Sequence, residues 1–253
     1  MATTTSMPEP GPQASIGTIG RLTGALFSPK RTFADIAAKP SWVAPLLLLT
    51  FIWIGLNAVL VQRTDWIEVS RQQIEKNKFA ARAFEQMKPE DRDVAYQKAA
   101  QRAKITRYVR GVIGWPLLVV IMSGIYLGAF RLIGGARVNY VTALAVVAYA
   151  HLPMGIRELL AIPVNLIKDG SAIDPENFLA SNVASFLGGD APLWQTVLGG
   201  SVDIFGIWAL ILVAIGFSAV DPKKVKLGTA FGIVFGLWAT ITLFFTGLTS
   251  FLA

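Results

Sequence analysis

Residues 42–61, WVAPLLLLTFIWIGLNAVLV, decide the class of fold. The stretch carries no charge and a single side-chain amide, Asn57. About 20 mostly apolar residues are what a helix needs to cross the hydrocarbon core of a bilayer. Four later stretches read the same way. Residues 111–133 have Arg131 near their end, and 140–167 are interrupted by His151, Pro153, Arg157, Glu158 and Pro163. Residues 196–220 hold one acid, Asp203, and 227–252 hold no charge at all. The expected fold is therefore all-α: a polytopic membrane protein with a bundle of five transmembrane helices. Trp42, Trp66, Trp115 and Trp194 fall at or near the proposed ends, as an interfacial aromatic belt requires.

Composition agrees with this class. Of 253 residues, 53% are apolar and 15% charged, and mean hydropathy is +0.53. A soluble domain carries about 25% charged residues. The absence of cysteine removes disulfides, thiolate metal sites and cysteine nucleophiles, and one histidine cannot build a multi-histidine metal site. No cofactor is implied. The net charge of +7 fits contact with anionic lipid headgroups better than with nucleic acid in so apolar a chain.

The polar segments divide the rest. Residues 1–15 read as a disordered tail. Residues 16–41 read as an interfacial segment: Ser28-Pro29 opens a short amphipathic helix with Phe33, Ile36 and Ala37 on one side, and Pro40 ends it. The membrane domain occupies 42–252. Inserted in it is a charged stretch, 62–110, with twelve Lys/Arg and seven Asp/Glu, broken by Lys88-Pro89-Glu90-Asp91. It reads as an extramembrane helical hairpin and a docking surface for a membrane-protein partner. Residues 174–188 read as a second interfacial helix, started by Asp174-Pro175-Glu176 and stopped by Gly188-Gly189.

Lysine and arginine bias sets orientation. With five crossings, nine basic residues fall on the N-terminal side, against Lys168 alone in the loop after the third crossing. This places the N-terminus in the cytoplasm. The hairpin opposes the bias, although loops of this length are partly exempt. A re-entrant first segment, which keeps the hairpin inside, is the alternative.

Certain residues look familiar together. Leu26-Phe27-Ser28-Pro29-Lys30-Arg31-Thr32-Phe33 ahead of the first span resembles the opening segment of the Yip (Ypt-interacting protein) domain family. So do Tyr149-Ala150-His151-Leu152-Pro153 and Asp203-Ile204-Phe205-Gly206-Ile207-Trp208. The spacing of five spans agrees, and the long charged hairpin looks like the bacterial branch, whose place is the inner membrane. The resemblance implies a non-enzymatic membrane protein. The family's eukaryotic members associate with small GTPases and with one another in vesicle traffic, and to a bacterial chain that carries over only by analogy.

Ionisable groups inside a bilayer are costly and face the bundle or a wet cavity. Asn57, Arg157, Glu158 and Asp203 fall about 7–15 Å below one interface at 1.5 Å per residue. Arg157 and Asp203 would pair, leaving Glu158 to Thr246, Asn57 or water. Such a cluster is either a packing lock or a polar cavity for a small molecule or lipid. The first reading favours a scaffold or adaptor, the second a carrier. Pro153 and Pro163 each remove a backbone donor and kink the third span beside His151. A Ser123–His151 dyad can be drawn, but no glycine-containing loop supplies an oxyanion hole. Gly124 and Gly128, and Gly228, Gly232 and Gly236, recur every four residues, a spacing that lets helices touch within one chain or in a homo-oligomer.

Overall fold

The computed structural model describes residues 16–76, 78–188 and 191–252; the stretch 1–15, Asn77, Gly189, Asp190 and Ala253 lie outside the described residues. The chain is 81% helix, and among the described residues there is no strand. Two short helices come first, α1 (Thr18–Phe27) and α2 (Pro29–Ala38), then the long α3 (Val43–Arg63). The charged stretch forms α4 (Trp66–Lys76), α5 (Lys78–Glu85) and α6 (Pro89–Val109). A π-helical turn at Arg110–Gly114 carries α6 straight into α7 (Trp115–Leu132). There follow α8 (Tyr140–Ala150), α9 (Leu152–Ile167), α10 (Leu193–Ser201), α11 (Ile204–Val220) and α12 (Leu227–Leu252).

Among the described residues, four helices are long and apolar enough to cross a membrane: Val43–Arg63, Pro89–Leu132, Tyr140–Ile167 and Leu227–Ser250. Helix α11 has 17 residues, about 25 Å at 1.5 Å each, against a hydrocarbon core of about 30 Å. It is the hub of the bundle, packed against α2, α8, α9 and α12, with Leu212, Val213, Ala214 and Phe217 buried. Protein covers its middle, while Ile204 at its start is 67% exposed. Burial separates core from rim: 61% of the apolar window of Tyr140–Ile167 is buried, against 11% for the last span.

Two sets of loop contacts give the bundle its ends. At one, the Arg137 N–H donates to Asp221 Oδ2 (3.0 Å). At the other, the Asp65 N–H donates to the Gly170 carbonyl (3.1 Å), and Arg63 Nη2 to the Lys168 carbonyl (3.1 Å). The second is the hairpin end.

The structure departs from the sequence reading in four places. Residues 16–41 form a further helix, α1, ahead of the expected one at Pro29–Ala38, and both pack on the bundle. Arg21 ties them together, its Nε 2.6 Å from Asp35 Oδ2 and its Nη1 donating to the Lys39 carbonyl (2.9 Å) and Ser41 Oγ (2.8 Å). Phe33 and Ile36 are then fully buried in the bundle. Gly216 makes this possible, since a Cβ there would lie 2.5 Å from Val146 Cγ1 and 3.1 Å from Phe33 Cδ1.

Residues 174–188 form no α-helix. Asp174 Oδ1 accepts from the Glu176 N–H (2.9 Å), Asn182 Oδ1 from the Ser185 N–H (3.2 Å), and Asn177 Oδ1 from Asn182 Nδ2 (2.8 Å). Short polar side chains that satisfy nearby donors compete with the helical ladder. Only a 3₁₀ turn, Val183–Phe186, remains.

The stretch 196–220 breaks at Val202–Asp203, because Asp203 caps α11 and α10 packs separately on α12. The stretch 140–167 is no departure: it turns at His151, where its prolines put a kink, with Pro153 in the first turn of α9 and Pro163 inside it. Finally, a Cβ on Gly124, Gly128, Gly228, Gly232 or Gly236 would meet nothing within 4 Å. These glycines do not pack helices within the chain.

Replacing Phe33 by alanine should cost about 3–5 kcal/mol, as for a buried aromatic. In detergent this reads as a fall in Tm of about 6–20 °C. An unchanged Tm would mean that α2 rests on lipid and not on α8 and α11.

Candidate functional site

The polar cluster lies at the hairpin end, where α9, α11 and the irregular 177–187 segment meet. Successive positions on α9 place Arg157 and Glu158 side by side. Glu158 is 3% exposed, and its Oε1 accepts from Arg157 Nη2 (3.0 Å). Arg157 Nη1 lies 3.6 Å from Asp203 Oδ2, and its guanidinium stacks 4.8 Å from the centre of the Phe178 ring. One arginine therefore faces two acids and an aromatic face.

Asp203 does more than balance charge. Its Oδ1 accepts from the Phe205 and Gly206 N–H groups (2.9 and 3.0 Å), which satisfies two orphan donors of α11. Its Oδ2 accepts from the Ser181 hydroxyl. Beside it, the Ile204 N–H donates to the Ser181 carbonyl (3.1 Å) and the Val183 N–H to the Val202 carbonyl (3.3 Å). Asn165 Nδ2 bridges the carbonyls of Ala161 (2.8 Å) and Phe178 (2.9 Å). These bonds hold Phe178 under the Arg157 guanidinium.

Asn57 and Thr246 stand apart from this group. Asn57 Nδ2 donates to the Trp53 carbonyl of its own helix (2.7 Å), and its side chain packs on Gly111, where a Cβ would lie 3.0 Å from the Asn57 Cβ. Asn57 Oδ1 and Thr246 Oγ1 are buried without a hydrogen bond. His151 Nδ1 bonds the Val147 carbonyl (2.8 Å) and Ser123 Oγ the Val119 carbonyl (2.6 Å), each in its own helix, so the pair forms no dyad. The His151 ring packs edge-on against Trp115, 5.7 Å between centres.

A cavity of about 360 Å³ opens against the cluster. Trp53, Trp115, Leu118, Met154 and Phe178 supply apolar wall. Charge comes from Arg157 and Glu158 and from three residues that sequence reasoning did not place in the cluster: Arg107, Arg110 and Glu176. Asp203 does not line it. A signal for the arginines was present in their i, i+3 spacing where the charged stretch runs into apolar residues. For Glu176 there was none, because a chain fold of 66 residues' separation brings it to Arg110 Nη1 at 3.6 Å. In the adjoining loop Asp169 accepts from the Ser171 N–H (3.1 Å) and hydroxyl (3.0 Å), which hold its carboxyl below the usual carboxylate range. Among the described residues no group of three or more His, Asp or Glu is placed to hold a metal ion.

An all-helical chain with several apolar helices of spanning length and a charged cluster tucked into its bundle is a multi-pass membrane protein. A family model for the Yip1 domain matches residues 23–249, and the chain belongs to that family. The family is not known as one of enzymes. No curated protein matches the chain, and no solved structure does.

If Arg157 and Asp203 act as a unit, Asp203→Asn should lower stability by about 1–3 kcal/mol, the cost of a buried polar group left short of its partner. Adding Arg157→Gln should recover part of that loss. Strictly additive Tm losses in detergent would show the two side chains to be independent.

Proposed function

We propose that this protein is a non-catalytic membrane scaffold or adaptor whose working surface is the hairpin α4–α6. One observation carries the reading. Residues Pro89–Leu132 run as a single helical rod from the hairpin into the bundle, so whatever docks on the arm is held rigidly against the membrane. Trp66 packs with Val61 and Ala100 where α4 meets α6, and its Nε1 donates to the Val61 carbonyl (3.0 Å), which braces the base. On the same arm Val94, Ile105 and Tyr108 lie exposed at positions that share one helical face. An apolar stripe on a charged helix is the pattern of a helix-in-groove partner surface.

In this reading the chain crosses the membrane five times, with α11 as the short central crossing. The N-terminus is cytoplasmic and the membrane a bacterial inner membrane. The five crossings put both sets of loop contacts at opposite ends of the bundle, and the basic residues of the N-terminal side support the orientation. The outward glycines of α12 leave room for a second copy. A second reading, a small-molecule or lipid carrier, is supported by the cavity that reaches Arg157 and Glu158.

A photoreactive residue at Gln101, exposed on α6, should form discrete protein adducts in native membranes. Val94→Ser, Ile105→Ser and Tyr108→Ser together should abolish them without lowering Tm. Adducts to lipid alone, or adducts unchanged in the triple variant, would reject the docking role.

A further inference from the structure

The charges around the cavity are unevenly matched. Arg157 faces both Glu158 and Asp203. Arg107 and Arg110 share a single carboxylate, Glu176 Oε1, at 3.6 Å from a guanidinium nitrogen of each. That distance is an ion contact too long for a hydrogen bond. The Arg107 side chain is only 7% exposed, whereas that of Glu176 is 65% exposed. A buried guanidinium thus has one loosely placed surface carboxylate in ion contact, with Glu158 and Asp174 acting on it from further off.

Hydrogen-bond accounting points the same way. Arg107 Nε and Nη2, Arg157 Nε and Trp115 Nε1 are all buried donors without an acceptor among the described residues. The lining residues hold one comparable orphan acceptor, Glu158 Oε2. Buried donors left unpaired are expensive, but these atoms have almost no exposed surface, so a ligand in the cavity first meets Arg107 Nη1 and the exposed Arg110 and reaches the others only as the side chains turn. Two arginines offering forked donors match a phosphate group in particular. Trp53, Trp115, Leu118 and Met154 continue the wall as apolar surface, which suits a hydrocarbon chain beyond the charged head.

We propose that this cavity binds the phosphate group of an anionic amphiphile, with Arg107 and Arg110 as its ligands, and that Glu176 is the internal carboxylate the phosphate displaces. The inference rests on the second reading above, that the cavity takes a ligand. A neighbouring cavity of about 160 Å³ shares Arg107, Arg110, Pro175 and Glu176, and gives the displaced side chain a place to go. Glu176 therefore sets affinity by competition. Because it sits on the loop that closes on the base of the hairpin arm, ligand entry exchanges an internal contact between α6 and that loop for one to the ligand.

The test is a titration of the full chain in neutral detergent, read by tryptophan fluorescence, since Trp53 and Trp115 line the cavity. The probes are dioctanoyl phosphatidylglycerol, dioctanoylglycerol, glycerol phosphate and inorganic phosphate. Phosphatidylglycerol should bind at least about tenfold more tightly than dioctanoylglycerol. Arg110→Gln, at an exposed side chain that does not threaten folding, should remove most of that preference, as should Arg107→Gln if it folds. Glu176→Gln should tighten binding by about fivefold or more. Glycerol phosphate or inorganic phosphate binding as tightly as the lipid, with the same arginine dependence, supports phosphate recognition and assigns the source to a soluble anion. Equal binding of phosphatidylglycerol and dioctanoylglycerol, unaffected by Arg110→Gln, overturns the phosphate assignment while leaving a ligand-binding cavity. No binding of any probe overturns both.

Discussion

A guanidinium drawn into an apolar bundle must meet acids there or stay wet, because an isolated charge in a low-dielectric interior is prohibitively costly. Arg157 meets this constraint by standing between Glu158 on its own helix and Asp203 at the start of α11. Much of the hairpin end follows from that arrangement. Asp203 must reach back toward α9, so α11 starts at Ile204 and α10 becomes a separate helix. The 177–187 segment must fold over the pair, so it gives up helical bonds for the bridge to Asp203 and for the Asn165 contacts. The cation–π contact with Phe178 closes the third side.

The opposite end is organised by packing. The α1–α2 pair is locked by Arg21 and sends Phe33 and Ile36 into the bundle at Gly216. Phe130 and Phe217 stack 4.2 Å apart nearby, joining α7 to α11. A short central helix surrounded by protein therefore has one end set by charge and the other by shape. Open volume occurs both beside the charges, in the cavity of about 360 Å³, and in an apolar cavity of about 260 Å³ lined by Met122, Tyr126, Leu210 and Trp238.

The hairpin and the cavity share residues. Arg107 and Arg110 belong to the rod that carries the arm, while Glu176 belongs to the loop that follows α9. The base of the arm, the loop and the cavity mouth consequently share a single set of charges. A binding surface on the arm and a ligand in the cavity would be energetically linked through those residues, which is how two sites acquire a coupling free energy.

The class of protein was legible in the chain because hydropathy is a local, additive property. Runs of apolar residues long enough to cross a bilayer, the break at Lys88-Pro89 and the kink at His151 and Pro153 needed no knowledge of neighbours. The residue motifs also carried the family. What local reading missed was decided by partners distant in sequence. The amphipathic pattern of 16–41 cannot say whether its apolar face meets lipid or protein, since both accept Phe33 and Ile36 equally. The helix signals in 174–188 lost to side-chain bonds, and the glycine spacing could not reveal that the glycines face outward. Arg107, Arg110 and Glu176 became a site only when the fold brought α6 against the loop after α9. Segment type and membrane character were thus set by the order of residues alone. The cavity, its excess of donors and the choice of partner for each charge belong to the tertiary structure, because electrostatic matching in a low-dielectric interior depends on distance through space and not on distance along the chain.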